Sequence, residues 1–155
     1  MATLKVKIQE DIILDNQDYG SKRVLKITGI NEVYKRMVVC PGGADATIAT
    51  FQTATNTSDN ALDLENVKYI RVTNLESSNP CNLSLQVAGA EGGTANMSTS
   101  ILLEAGKSFM MGTVHDGIGL SDANATIITS LNDLESILID GSDENITVEV
   151  FVASV

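Results

Sequence analysis

The sequence predicts an all-β protein: a single β-sandwich, jelly-roll-like, or a barrel, of about eight to ten short antiparallel strands. Three observations predict it. Apolar and polar residues alternate with period two along most of the chain, the mark of strands buried on one face. Clusters of Asn, Ser, Thr, Gly and Asp interrupt the alternation at spacings that suit turns. The 155 residues contain no repeat or linker and no sign of a second domain, so one β domain over 1–155 is expected.

The elements follow in chain order. TLKVKI sets Leu4, Val6 and Ile8 on one face and Lys5 and Lys7 on the other, and RVLKITGI alternates through Leu25 and Ile27. VYKRMVVC ends at the turn Pro41-Gly42-Gly43, and ATIATF follows. VKYIRVTN sets Lys68, Ile70 and Val72 against Val67, Tyr69 and Arg71, so both of its faces are mixed. NLSLQVA carries a clean apolar row of Leu83, Leu85 and Val87. SILLEAGKSFMMG is expected as two strands of a hairpin around Glu104-Ala105-Gly106-Lys107. Residues 123–131 have moderate helical spacing, but their Thr and Ile content favours a strand or a single turn. ESILIDG and ITVEVFVASV close the chain, the latter with Ile146, Val148, Val150 and Val152 on one face. Polar loops are expected at 53–60, 76–80, 90–99 and 141–145.

A chain of this length can bury roughly 70% of its unfolded surface without help from metals or disulfides. With no Trp and 4% aromatic residues, the core must be built from Val, Ile, Leu and Met. The same scarcity argues against base-stacking and sugar-stacking modules, which use rings as platforms. A net charge of −10 disfavours nucleic acid and anionic lipid as partners. The charge is divided: residues 1–39 carry seven Lys/Arg against five Asp/Glu, and residues 40–155 carry three against fifteen. The basic N-terminal part is therefore expected to face an acidic partner through Lys5, Lys7, Lys22, Arg23, Lys35 and Arg36. The start MATLKVKIQE has no apolar core of a signal peptide, and no stretch reaches the ~20 apolar residues of a membrane span. Synthesis in a cytoplasm without a membrane partner is expected. Cys40 and Cys81 are then expected as buried free thiols, with a disulfide the alternative if the mature protein ends outside the cell.

Catalysis finds little support. His115 is the only histidine, in the turn-like run Val114-His115-Asp116-Gly117, and is expected as a surface residue. Ala105-Gly106-Lys107-Ser108 resembles the end of a phosphate loop, but Ile101 stands where the first glycine belongs and a strand follows. One histidine and two separated cysteines make no zinc set. The oxygen-rich stretch Asp140-Gly141-Ser142-Asp143-Glu144-Asn145 lacks the spacing of a calcium-binding loop. The expectation is a non-enzyme without metal or cofactor. Phe109-Met110-Met111 is apolar on both faces, which suits either the interior of the sandwich or a self-association surface.

Four segments together carry a resemblance: INEVYKR at 30–36, VKYIRVTNLESSNP at 67–80, ILLEAGKSFMMG at 101–112 and the C-terminal ITVEVFVASV. They resemble small virion structural proteins of marine tailed phages of the cyanophage and pelagiphage kind. The resemblance implies a structural protein of the virion, made in the host cytoplasm. It leaves open the head, neck, tail or fibre. Size, acidity and the lack of site chemistry favour a capsid decoration or cement protein. A receptor- or carbohydrate-binding module using the loops at 53–60 and 90–99 is the alternative. The implied partners are the major capsid protein or other virion proteins, and a homo-oligomer, with a trimer favoured.

Overall fold

The computed structural model describes residues 1–53, 61–88, 97–120 and 127–155. The first thirty residues form a long hairpin: β1 (Ala2–Glu10), β2 (Ile13–Leu14), β3 (Gln17–Asp18) and β4 (Ser21–Ile30). Then come β5 (Glu32–Cys40), β6 (Asp45–Gln52), β7 (Leu62–Asp63), β8 (Val67–Asn74) and β9 (Cys81–Val87). The last four are β10 (Met97–Leu103), β11 (Ser108–Met111), β12 (Leu134–Asp140) and β13 (Ile146–Ser154). A short 3-10 turn, Leu64–Asn66, is capped by Asp63, whose carboxylate accepts from the Glu65 amide at 3.2 Å. No helix among the described residues is long and apolar enough to cross a membrane.

Two sheets pack face to face. One has the strand order β10-β9-β12-β6-β7 and the other β11-β8-β13-β5. Neither closes, so the sandwich is the architecture and the barrel is not. Pairing is antiparallel except between β6 and the two-residue β7, which run parallel. Leu83, Leu85 and Val87 of β9 and Ile137 and Ile139 of β12 meet Ile70 and Val72 of β8 and the row Ile146, Val148, Val150, Val152 of β13. The expected aliphatic core is thus formed, and period two delivers it, because one side of each strand supplies all of these residues.

The outer faces differ. The five-stranded sheet presents Asn82, Ser84 and Gln86 to solvent, the usual polar side of an antiparallel sheet. The four-stranded sheet presents Tyr69 and Arg71 from β8 and Glu149, Phe151 and Ala153 from β13. Tyr69 and Ala153 are buried there, in a second small core closed by Leu4, Val6, Ile27 and Ile30 of the hairpin. The mixed pattern of VKYIRVTN therefore records burial on both sides: the sandwich on one, the hairpin on the other.

The expected hairpin across Glu104–Lys107 needs correction. The turn exists, with the Lys107 amide donating to the Glu104 carbonyl at 3.1 Å and Gly106 at φ 70°. But β10 pairs with β9 and β11 with β8, so the turn carries the chain from one sheet to the other. Asn74, fully buried, holds this arch. Its side chain donates to the carbonyls of Leu103 (3.1 Å) and Asn79 (2.9 Å) and accepts from the Glu76 amide (3.0 Å). Its backbone bonds the amide of Gly106 and the carbonyl of Lys107. The run at 123–131 lies partly outside the described residues, and 127–131 forms no strand.

Asn74→Ala would take the side-chain partner from the buried Leu103 carbonyl and from the part-buried Asn79 carbonyl and Glu76 amide. It should cost about 1–3 kcal/mol, read as a lower urea midpoint with an unchanged m-value.

Candidate interaction site on the hairpin arm

Among the described residues the hairpin is the most exposed part: residues 7–26 are exposed throughout. Local chemistry nevertheless shapes it completely. Asp15 and Asn16 sit at φ 52° and 62°, the left-handed pair that closes a tight hairpin, and both residue types tolerate that region. The Tyr19 amide donates to the Ile12 carbonyl at 3.0 Å, the Gly20 amide to the Asp18 carboxylate at 2.8 Å, and the Ser21 hydroxyl to Glu10 at 2.5 Å. At the base, the register slips at Ala2/Thr3 opposite Gly29, whose φ of 82° marks a bulge. The bulge turns the stem back over the sheet from which β5 departs.

Cross-strand register sorts the stem into two faces. Leu4 pairs with Ile27, Val6 with Leu25 and Ile8 with Arg23, and of this mostly apolar face Leu4, Val6 and Ile27 pack on the sandwich. Leu4, Val6 and Ile27 pack against Ala153 of β13 and Tyr69 of β8, and further out Val6, Ile8 and Leu25 line an open apolar groove whose other wall is Tyr69 and the β11 residues Met110 and Met111. The arm thus crosses the four-stranded sheet and passes its β11 edge. The other face pairs Lys5 with Lys26, Lys7 with Val24 and Gln9 with Lys22. None of these four lysines has an ion-pair partner among the described residues. Like charges placed directly opposite, as at Lys5 and Lys26, weaken a hairpin rather than support it.

Charge is zoned more finely than a basic front and an acidic remainder. The stem holds five Lys/Arg and no carboxylate. The tip, residues 10–20, holds Glu10, Asp11, Asp15 and Asp18 and no Lys/Arg. Residues 31–155 keep five of the ten Lys/Arg and sixteen of the twenty Asp/Glu. Of the six cations expected to meet a partner, Lys5, Lys7 and Lys22 share the free stem face, while Arg23 lies on the opposite, apolar face. Lys35 stands on the outer face of β5, bound to Glu149 at 3.0 Å. Arg36 lies over the Tyr34 ring at 4.9 Å. Lys26, the fourth lysine of the row, was not singled out by sequence; its pairing with Lys5 shows only once the turn at Asp15-Asn16 is recognised.

Glu149 organises the uncovered part of the outer face. It binds Lys35 and Arg71 together, and Arg71 also reaches the Thr73 hydroxyl at 2.5 Å. Hydrogen bonds from Lys35 and Arg71 hold the Glu149 carboxyl below the usual glutamate range. On β11, Phe109 and Met111 pack against the sandwich core, while Met110 points outward, 45% exposed, beside the arm.

The remaining candidates have local explanations. Asp140 and Asn145 accept from the amides of Ser142 (2.6 Å) and Gly42 (2.9 Å), so the oxygen-rich turn is tied to the turn at 41–43. His115 lies between two carboxylates, Nδ1 3.0 Å from Asp133 and Nε2 3.3 Å from Asp116. Asp133, distant in sequence, was not foreseen beside it. The acids meet opposite ring nitrogens, and Asp133 also accepts the Asp116 amide at 2.7 Å, which fixes the loop. Cys40 and Cys81 are free and buried. Burial raises both thiols, Cys81 to about 11, which leaves it protonated and unreactive at neutral pH. The loops at 53–60 and 90–99 fall largely outside the described residues. Compared with protein-family models, curated proteins and solved structures, the chain matches none of them.

Because the folded carboxyl of Glu149 is depressed, its contribution to stability is complete above the unfolded glutamate value of ~4.3 and is lost as pH falls through the folded value. Glu149→Gln should therefore flatten the acid side of the stability curve below about pH 4.3. Thermal melts at a series of pH values for the two proteins check this.

Proposed function

We propose that this chain is a non-enzymatic structural protein of a tailed-phage virion, and that it serves as a capsid decoration or cement protein. The observation that carries the reading is the arm: an exposed hairpin whose outward stem face is a row of lysines with no ion-pair partner among the described residues. An isolated two-stranded hairpin is marginal in water. A lysine row on such an element gains most from a surface of opposite charge, and an acidic capsid floor is that surface. The mechanism is attachment across capsomer boundaries, which favours the assembled shell over its separated parts by mass action. The resemblance to virion proteins supports a place in the particle, and the arm supports attachment as its role there.

Purified particles should contain the chain at a stoichiometry comparable with the major capsid protein. A stoichiometry matching one vertex or one tail would move it to the neck, tail or fibre. The triple variant Lys5→Gln, Lys7→Gln, Lys22→Gln alters only exposed positions and should fold normally. It should join particles more weakly at low salt, and its incorporation should vary less with ionic strength than that of the wild type, since exposed charges act within a Debye length. Incorporation equal to wild type across the salt range would show that the stem lysines do not make the attachment.

A further inference from the structure

We propose that the arm tip of one copy of this chain seats on the outer face of β5 in a second copy, linking copies head to tail. This goes beyond attachment to a particle, because it concerns the tip rather than the stem and requires only this chain.

The tip and the β5 face complement each other in two ways. The tip exposes Ile12, Ile13, Leu14 and Tyr19, with Ile13 75% exposed. Apolar residues gathered at the end of a projecting arm are costly in water unless something covers them. The outer face of β5 exposes Val33, Met37 and Val39 at every second or fourth position, with Met37 72% exposed. Methionine adapts to an incoming apolar surface. Charge matches as well: the tip carries Glu10, Asp11, Asp15 and Asp18, and the outer face at and beside β5 sets Lys35 and Arg71 against Glu149, one cation in excess.

Geometry makes the partner a second copy rather than the same chain. The arm leaves the four-stranded sheet over β11, and β5 is the opposite edge strand of that sheet. The pairs beyond Ile8 carry the tip about 20 Å past the groove over Met110, at ~3.3 Å per residue. The chain's own β5 lies behind it, three strand spacings or ~14 Å in the other direction. A neighbour placed beside the β11 edge, with its β5 toward the arm, receives the tip. The donor and acceptor surfaces are different, so the contact is heterologous; it closes into a ring where the rotation permits and otherwise propagates.

Sedimentation velocity of the purified full chain over a concentration series tests the inference. The wild type should associate reversibly. Ile13→Asp spoils the tip and Met37→Asp spoils the acceptor, and each should weaken association by about tenfold or more. The decisive sample is their mixture. The Met37→Asp chain keeps a sound tip and the Ile13→Asp chain keeps a sound acceptor, so an equimolar mixture should form dimers and nothing larger. A wild type that stays monomeric at its highest soluble concentration overturns the proposal, as does a variant that associates like wild type or a mixture that stays monomeric. Leu14→Asp and Val39→Asp form a second donor and acceptor pair should either first variant lose its β-sheet circular dichroism. Hydrogen exchange on the wild type adds an independent readout: the amides of residues 12–19 should gain protection as concentration rises. Particle incorporation plays no part in these measurements, so their failure leaves the attachment reading intact.

Discussion

Tyr69, Phe151 and Ala153 give the four-stranded sheet a second apolar face, and the hairpin stem closes over it. Tyr69 and Phe151 meet edge to face, with ring centroids 6.1 Å apart. This contact decides what kind of molecule the chain makes. Without it, the outer face of β8 and β13 would resemble the serine- and glutamine-bearing face of the five-stranded sheet, and residues 1–30 would have no place to begin. With it, Leu4, Val6 and Ile27 anchor the stem, and the rest of the hairpin is aimed past the edge of the sheet. The bulge at Gly29 supplies the bend that this docking requires.

Anchoring only the base divides the arm into zones with different demands. Near the sandwich the stem is amphipathic, with apolar residues inward and lysines outward. Beyond Ile8 none of the described residues covers either side, and the apolar residues persist to the turn. Edge strands that must stay free of partners usually carry charge or irregularity that discourages pairing. This arm combines opposite tendencies at its tip: exposed isoleucines and an orderly turn, which suit a partner, and carboxylates of a single sign, which restrict the partner. Single sign prevents tips from pairing with each other, while it favours a surface with the opposite sign. Segregated charge of this kind chooses partners more than it adds affinity.

Much of the sandwich was legible because period two is a direct consequence of one-sided burial. The rows Leu83-Leu85-Val87 and Ile146-Val148-Val150-Val152 show it, since each lies wholly on the inner face. What could not be read was which strands share a sheet. ILLEAGKSFMMG has the local grammar of a hairpin, and the turn at Gly106 obeys it, but tertiary pairing sends the two strands to different sheets. Asn74, the residue that makes the arch possible, looks in sequence like any polar strand end. The arm was half visible. The alternation of Leu4, Val6 and Ile8 marks the first strand and that of Leu25 and Ile27 marks the second. The signal joining them is Asp15-Asn16, a turn pair less emphatic than Asn-Gly. Charge counted over residues 1–39 hid the more informative pattern, because the acidic tip partly cancels the basic stem.

That cancellation bears on how the arm responds to its surroundings. Lys5 and Lys26 face each other across the stem, with Lys7 and Lys22 further along the same row. In the free chain their mutual repulsion works against the pairing of β1 with β4, most strongly at low ionic strength. An anionic surface placed over the row replaces repulsion by attraction, so docking of the stem and ordering of the hairpin reinforce each other. Added salt therefore acts in two opposing ways. It relieves the strain within the free arm and weakens the attraction that holds the arm to an acidic partner. The first effect is confined to lysines a few ångströms apart, well inside a Debye length of ~8 Å, and is screened little. The second acts over a wide interface and is screened more. Docking should accordingly dominate the salt response, while the hairpin itself stays formed, held at its base by Tyr69 and at its far end by the Asp15-Asn16 turn.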